Sequence, residues 1–291
     1  MLNNSRLSKV DVVMCTWNSN KPWFRRCLNS IKNEIPICHF IVVDRFSSDG
    51  TVEAIRKIFP EAIVVKSKLN LGRARKNAIM HVDTEWFCFI DDDIELCHGW
   101  FNRIANMIEG NVGAIHGIHI DINLDHIYKY SYWNLRRIRK LYPGGIVDLT
   151  LKNLNIRGYT TNTFLMTKLL KSWNPPLWLT SYEDHHLLRH VVSQGYKWRM
   201  LLNLTVKHYT SRSIISAFKK SRWNAAGGRA IGFLNNKIIY KSVIRNMVKA
   251  VLASINTGTP LIIPYALGVE IGKFQGYIGW KKYLQLSRNP V

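Results

Sequence analysis

Five apolar residues, Trp86-Phe87-Cys88-Phe89-Ile90, run directly into three aspartates, Asp91-Asp92-Asp93. The run reads as a strand buried on both faces. Three adjacent carboxylates repel one another, and neutral side chains would solvate a turn at lower cost. Set where a buried strand ends, they offer hard oxygen ligands to a cation such as Mg²⁺ or Mn²⁺, which commonly arrives bridged to phosphates. The triplet therefore points to metal-dependent chemistry on a phosphorylated substrate, with an acidic turn of no function as the alternative.

The segments around the triplet alternate in type. Strands are expected at residues 10–15, 40–43, 62–65, 86–90 and 112–118, and helices at 22–31, 52–58, 72–81 and 100–108. Such alternation predicts an α/β fold whose parallel sheet is covered on both faces. Sheets of this kind bind ligands outside the carboxyl ends of their strands. Strand one ends at Thr16-Trp17-Asn18, strand two at Asp44 and strand four at Asp91. One crevice could therefore collect the Thr16 hydroxyl and the Asp44 carboxylate for a base and ribose, and the triplet for a metal on a diphosphate. Thr16 as a helix cap and Asp44 as a turn residue are the simpler alternatives.

Composition narrows the partners. The 291 residues carry a net charge of +22, which calls for an anionic partner: nucleic acid, an anionic membrane face or a phosphorylated substrate. Residues 207–291 hold fourteen Lys and Arg against one acid, Glu270, so the excess is concentrated at the end of the chain. The five cysteines, Cys15, Cys27, Cys38, Cys88 and Cys97, are odd in number and form no CxxC pair. Reduced core thiols and a cytoplasmic setting are expected, without a disulfide framework or zinc site. The polar start lacks a signal-peptide core, and the longest apolar run, residues 261–269, is too short to span a bilayer and contains Pro264.

Four stretches together carry a family resemblance. Val12-Val13-Met14-Cys15-Thr16-Trp17-Asn18, Val42-Val43-Asp44-Arg45-Phe46-Ser47-Ser48-Asp49-Gly50-Thr51, Asn70-Leu71-Gly72-Arg73-Ala74-Arg75-Lys76-Asn77 and Phe89-Ile90-Asp91-Asp92-Asp93 resemble, in order and spacing, a family-two glycosyltransferase of the GT-A fold. The resemblance covers residues 10 to about 208. It implies a Rossmann-like, mostly parallel sheet flanked by helices, a nucleoside-diphosphate sugar as donor, a saccharide or lipid-linked acceptor, and Mn²⁺ or Mg²⁺ as cofactor. It assigns donor contacts to Thr16, Trp17, Asn18, Asp44, Asp91 and Asp92. Trp17 stands where the family often has Tyr or Phe. Arg73 and Arg75 could hold the diphosphate with their planar forks of donors, or form a solvated helix face.

A second cluster, Tyr182-Glu183-Asp184-His185-His186, precedes Leu187, Leu188, Val191 and Val192 at helical spacing. Acids at a helix start are stabilised by its dipole, so a cap is one reading. Sugar transfer with inversion needs a base for the acceptor hydroxyl, and the stretch resembles the Glu-Asp motif that supplies it, here on Asp184. Adjacent helical residues diverge by about 100°, so His185 and His186 cannot easily share one ion. His208 closes an apparent strand at residues 201–207, where the family sometimes supplies a histidine to the metal. Asp93 and His208 are thus the expected protein ligands, with a structural histidine as the other reading of His208. Residues 128–178, rich in aromatics, and the segment Arg157-Gly158-Tyr159-Thr160-Thr161-Asn162 are expected on the acceptor side or in the core.

Residues 1–210 are read as the catalytic domain and 211–291 as a basic helical extension. In the latter Val243-Ile244, Met247-Val248 and Val251-Leu252 recur at helical spacing with Arg245 and Lys249 between them. Such helices lie in an anionic membrane interface or pack on the domain, and Gly268, Gly272, Gly276 and Gly279 would permit close helix contact. Lipid attachment at the cytoplasmic face would suit a lipid-linked acceptor. The charge also admits a nucleic-acid- or membrane-binding protein with a degenerate transferase fold. No zinc finger, RNA-recognition signature or helix-turn-helix pattern supports nucleic acid, and the intact acids oppose degeneracy.

Overall fold

Alternate residues of the first strand go to opposite sides of the sheet. Val10, Val12 and Met14 join one apolar cluster while Val13 joins another, and Trp86, Cys88 and Ile90 divide from Phe87 and Phe89 in the same way. A sheet apolar on both faces must be covered on both faces. In the computed structural model, which describes residues 8–154, 156–210 and 213–288, helices do so.

The elements in chain order are β1 (Val10–Thr16), α1 (Phe24–Glu34), β2 (Ile37–Asp44), α2 (Thr51–Ile58), β3 (Ile63–Lys66), α3 (Leu71–Met80), β4 (Trp86–Ile90), β5 (Ile94–Glu95), α4 (Trp100–Ala105), β6 (Val112–Asp121), α5 (Asp125–Leu141), β7 (Ile146–Leu149), β8 (Asn162–Met166), α6 (Thr167–Leu170), α7 (Glu183–Ser193) and β9 (Lys197–His208). The C-terminal part adds α8 (Ile214–Ala230), α9 (Asn236–Thr257), α10 (Ile262–Ile278) and α11 (Trp280–Arg288). Phe24, Leu28 and Ile31 of α1, Ile55 of α2 and Trp100 and Ile104 of α4 cover one face. Ala74, Ala78 and Ile79 of α3 and Leu187, Leu188, Val191 and Val192 of α7 cover the other.

The strands form one nine-stranded sheet in the order β3-β2-β1-β4-β8-β6-β9-β5, with β7 also paired to β9. The pairs β1–β2, β1–β4, β2–β3 and β6–β9 are parallel, and β8 runs antiparallel to both β4 and β6. Six strands, β1, β2, β3, β4, β6 and β9, therefore point the same way, as the mostly parallel expectation requires. The reversed β8 between β4 and β6 is absent from the strand pattern read from the sequence. All six carboxyl ends lie on one edge, and β8 begins on that edge.

The glycine pattern has a packing cause. A Cβ on Gly272 or Gly276 of α10 would overlap the carbonyl oxygen of Phe218 or Arg222 on α8, so the two backbones meet closely only because these residues are glycine. Gly279 stands apart, facing Tyr283. The C-terminal helices also dock on the rest of the chain. Gly227 of α8 lies against Ser181, whose hydroxyl donates to the Trp223 carbonyl at 3.0 Å, and Trp223 Nε1 donates to Thr180 Oγ1 at 3.1 Å. The expected boundary at residue 211 falls on Ser211 and Arg212, which lie outside the described residues, as do residues 1–7.

Candidate active site

The sheet edge gathers the expected residues and sorts them. At the end of β1, Thr16 donates to Ser19 Oγ at 2.7 Å, and the Ser19 hydroxyl donates to Asp92. Asn18 adopts a left-handed backbone (φ 49°) and ties two loops together: its N–H donates to Ser47 Oγ at 2.8 Å and its Oδ1 accepts from Ser48 N at 2.9 Å. Trp17 stays exposed, with the Arg45 guanidinium over its ring at 5.3 Å. Together Thr16, Trp17, Arg45, Ser67, Leu69 and Asp92 line a cleft of about 250 Å³.

Asp44, expected to meet the base directly, is fully buried and does not line this cleft. Its oxygens accept from Ser47 N (2.9 Å), Ser47 Oγ (2.5 Å) and Lys66 Nζ (2.5 Å). Burial would raise its pKa, but Lys66 and Ser47 hold it below the ordinary carboxylate value. In this arrangement Asp44 fixes Ser47 and Lys66.

The three aspartates of the triplet have three different environments. Asp91 accepts from Arg75 Nη2 at 2.9 Å, and the other arm of that buried guanidinium donates to Glu183 at the start of α7. Arg75 therefore braces α7 against the triplet. Arg73, two residues earlier on the helix, instead bonds Asn174 Oδ1 at 2.8 Å. Asp92 is pushed up to about 7 by burial and by the neighbouring charges of Asp93 and Asp91, against hydrogen bonds from Ser19 and Thr16. Asp93 lies 3.0 Å from His208 Nε2.

The far side of His208 was not foreseen. Its Nδ1 lies 2.5 Å from Asp121, the last residue of β6, because the parallel register sets Asp121 beside His208. His119 completes a group in which ligand atoms of His119, Asp121 and His208 all lie within 4.8 Å of one another. Burial lowers the affinity of His208 for its proton, but Asp93 and Asp121 outweigh it and raise the pKa to about 9. His119, Asp121 and His208 lie close enough to share a divalent cation, while Asp93 meets His208 on its other ring nitrogen. The mixed nitrogen and oxygen set departs from the all-oxygen shell that Mg²⁺ favours.

Asp184 opens α7 together with Glu183. Tyr182, just before them, sits in the left-handed region (φ 64°), a costly conformation for a bulky residue and one that clusters at functional sites. Arg157 clamps Asp184: Nε lies 3.1 and 3.0 Å from the two oxygens and Nη2 is 2.8 Å from Oδ2. The same guanidinium covers the Tyr182 ring at 4.0 Å. Burial, with Asp184 adding its charge, pushes Glu183 up, and Arg75 opposes this. His186 accepts from Trp173 Nε1 at 2.9 Å and His185 packs on Phe233, so neither serves the metal group. Of the aromatics expected on the acceptor side, Trp173 is core, Tyr130 and Trp133 pack on the C-terminal helices, and Tyr159 stands at the site, 5.1 Å from His119.

The sequence and the fold have relatives. The family model described as glycosyl transferase family 2 matches residues 11–170, more than half of the chain. The chain belongs to glycosyl transferase family 2. It is 37% identical over 71 residues to the SPbeta prophage-derived glycosyltransferase SunS of Bacillus subtilis, a match covering 24% of this chain and 16% of that protein. Solved structures share the GT-A fold at low identity. TarS 1-349 of S. aureus superposes with a TM-score of 0.53 at 15% identity, covering 94% of this chain and 91% of that one. The mannosyltransferase PcManGT of Pyrobaculum calidifontis, in complex with GDP-Man and Mn²⁺, gives 0.57 at 16% identity, covering 90% and 73%. Glucosyl-3-phosphoglycerate synthase of Mycobacterium tuberculosis, with Mn²⁺, UDP and phosphoglyceric acid, gives 0.52 at 15% identity, covering 80% and 82%.

Proposed function

We propose that this family-two protein moves a sugar from a nucleoside-diphosphate sugar to a hydroxyl of its acceptor, with inversion at the anomeric carbon. One observation carries the reading: a cleft with an aromatic wall, an Asp–His group and the acid pair of α7 converge on a single sheet edge. Residues 1–210 are assigned to catalysis. The cleft beside Trp17 and Arg45 receives the nucleotide, with Thr16 and Asp92 at its inner end. Asn18 and Asp44 hold its loops, and Arg75 and Asp91 fix the distance between cleft and α7. Asp93 and His208, with Asp121 and His119 across the His208 ring, would hold a divalent cation, Mn²⁺ or Mg²⁺. When bound, the cation neutralises the diphosphate and stabilises it as a leaving group. Asp184 removes the proton from the acceptor hydroxyl as its oxygen attacks from the face opposite the diphosphate.

Calorimetric titration of UDP and of GDP tests the donor site. Binding of one nucleotide in the presence of Mn²⁺, weakened at least about tenfold by EDTA, is expected. Absence of binding by both nucleotides with Mn²⁺ present would overturn the transferase reading and favour the basic surface as the functional feature.

The extension, residues 211–291, is proposed to hold the protein at an anionic membrane surface, which would bring a lipid-linked saccharide within reach. Among the described residues no helix is long and apolar enough to cross a membrane. Two helices nevertheless expose apolar stripes at helical spacing: Ile244, Val248, Val251 and Ile255 on α9, and Leu267, Ile271, Phe274 and Ile278 on α10. The exposed Lys241 and Arg245 border the first stripe, which matches anionic lipid. Replacing Ile244 and Ile255 together by Asp should weaken co-sedimentation with phosphatidylglycerol vesicles at least about tenfold. Unchanged sedimentation would refute the attachment.

A further inference from the structure

Helices α5 and α9 pack side by side, with Tyr130 and Trp133 of one against Met247, Ala250 and Ala253 of the other. A cleft of about 260 Å³ opens along this seam. Lys129, Arg136, Arg137 and Lys140 of α5 line it, and Asn256 and Thr257 close it from the end of α9. Two exposed tyrosines of the lining, Tyr128 and Tyr132, stack on one another with ring centroids 6.0 Å apart. Arg137 lies over the Trp133 ring at 4.8 Å. Burial, and then the charges of Arg245 and Arg137, lower the proton affinity of Lys249 on α9, so the cations of the two helices crowd one another. Asp125 is paired with Lys129 at 2.8 Å. Among the described residues no carboxylate pairs with Arg136, Arg137, Lys140, Arg245 or Lys249. Like charges held together without counter-ions are destabilising, and an anion seated among them removes the repulsion.

The neighbouring surface decides which anion. Arg245, Lys249 and Asn256 each follow a residue of the exposed α9 stripe (Ile244, Val248 and Ile255) by one position, a rotation of about 100°, and so form its flank toward α5. We propose that the cleft between α5 and α9 takes the phosphate of an anionic phospholipid headgroup while the α9 stripe meets the lipid chains, an inference that rests on the membrane attachment proposed above. Guanidinium and ammonium groups bind phosphate through charge-assisted hydrogen bonds, and tyrosines suit the boundary between headgroups and chains. The cleft has the liquid volume of about nine waters, room for a phosphate and part of a glycerol headgroup. One seated headgroup fixes how the protein is rotated on the membrane, which an apolar stripe alone leaves open.

The test uses the full-length chain, phosphatidylcholine vesicles with and without phosphatidylglycerol, and glycerophosphoglycerol as the soluble headgroup. Arg136 and Lys140 are exposed, so R136Q/K140Q should keep the fold, which an unchanged melting temperature checks. K237Q/K241Q removes the same charge from exposed positions of α9 outside the cleft. Glycerophosphoglycerol should bind wild type and K237Q/K241Q alike, and R136Q/K140Q at least about tenfold more weakly. R136Q/K140Q should also co-sediment with phosphatidylglycerol vesicles at least about tenfold more weakly than wild type. No binding of glycerophosphoglycerol by wild type, or equal binding by R136Q/K140Q, would overturn the proposal and leave the cleft a patch of surface charge. Loss of single-stranded oligonucleotide binding in R136Q/K140Q, with vesicle binding unchanged, would assign the cleft to nucleic acid and overturn it as well. The vesicles also separate the two readings. A wild type indifferent to phosphatidylglycerol removes the membrane attachment itself, whereas sedimentation that Ile244→Asp with Ile255→Asp weakens, without headgroup binding, removes the cleft alone.

Discussion

Asp184→Asn is expected to slow the release of nucleoside diphosphate, from the nucleotide sugar the wild type uses, by about a thousandfold, within the range a positioned general base contributes. The amide keeps the shape of the carboxylate but cannot take the proton of the acceptor hydroxyl. Arg157, which now brackets both carboxylate oxygens, would face one oxygen and one amino group, so some loss of thermal stability should accompany the change. The donor cleft lies on the other side of the Arg75 brace, and nucleotide affinity should stay within about threefold of wild type, less than the tenfold that one direct charged contact is worth. This separation of turnover from nucleotide binding distinguishes a base from a merely structural acid. Turnover within tenfold of wild type would remove Asp184 from the mechanism.

Asp93→Ala should abolish the dependence of nucleotide binding on Mn²⁺ and lower turnover by at least about a hundredfold, since under the proposed function Asp93 would hold the cation that stabilises the leaving diphosphate. Asp93 and Asp121 approach His208 from opposite ring nitrogens. Removing one leaves a two-sided group open on the side facing the triplet. The readout is a Mn²⁺ titration of nucleotide affinity, which loss of fold alone would not flatten selectively. Retained Mn²⁺-dependent binding in the variant would move the metal away from Asp93.

Much of this edge was legible in the sequence because strands of apolar residues stop at polar ones. Thr16 and Asp44 end β1 and β2, Asp91 follows β4, and the rule that ligands gather at carboxyl ends puts the three together from sequence alone. Asp121 and His119 were missed for a related reason. The fifth strand was expected to end at Ile118, whereas the ladder with β9 continues to Asp121 and carries His119 with it. Nothing local announces that Asp121 will lie beside His208, 87 residues away. The clamp of Arg157 on Asp184 is equally non-local. The division between Arg73 and Arg75 was readable in principle, since two residues along a helix turn the side chain by about 200° and only one of the pair can face the triplet. Strand β8 was hidden because Arg157 to Asn162 reads as polar loop, and the apolar residues that follow are few.

The reversal of β8 also decides where the protein can change without refolding. A parallel strand in that position would send its entering loop to the far edge of the sheet, away from every ligand. Because β8 runs the other way, the segment that leads into it, with Arg157, Tyr159 and Thr161, hangs over the same edge as Asp93 and Asp184. Within that segment Arg157 holds Asp184 and the Thr161 carbonyl accepts from Asp91 N, so a change there acts on the site directly. Under the transfer reaction proposed above, it is the segment through which acceptor preference would be altered apart from the donor cleft.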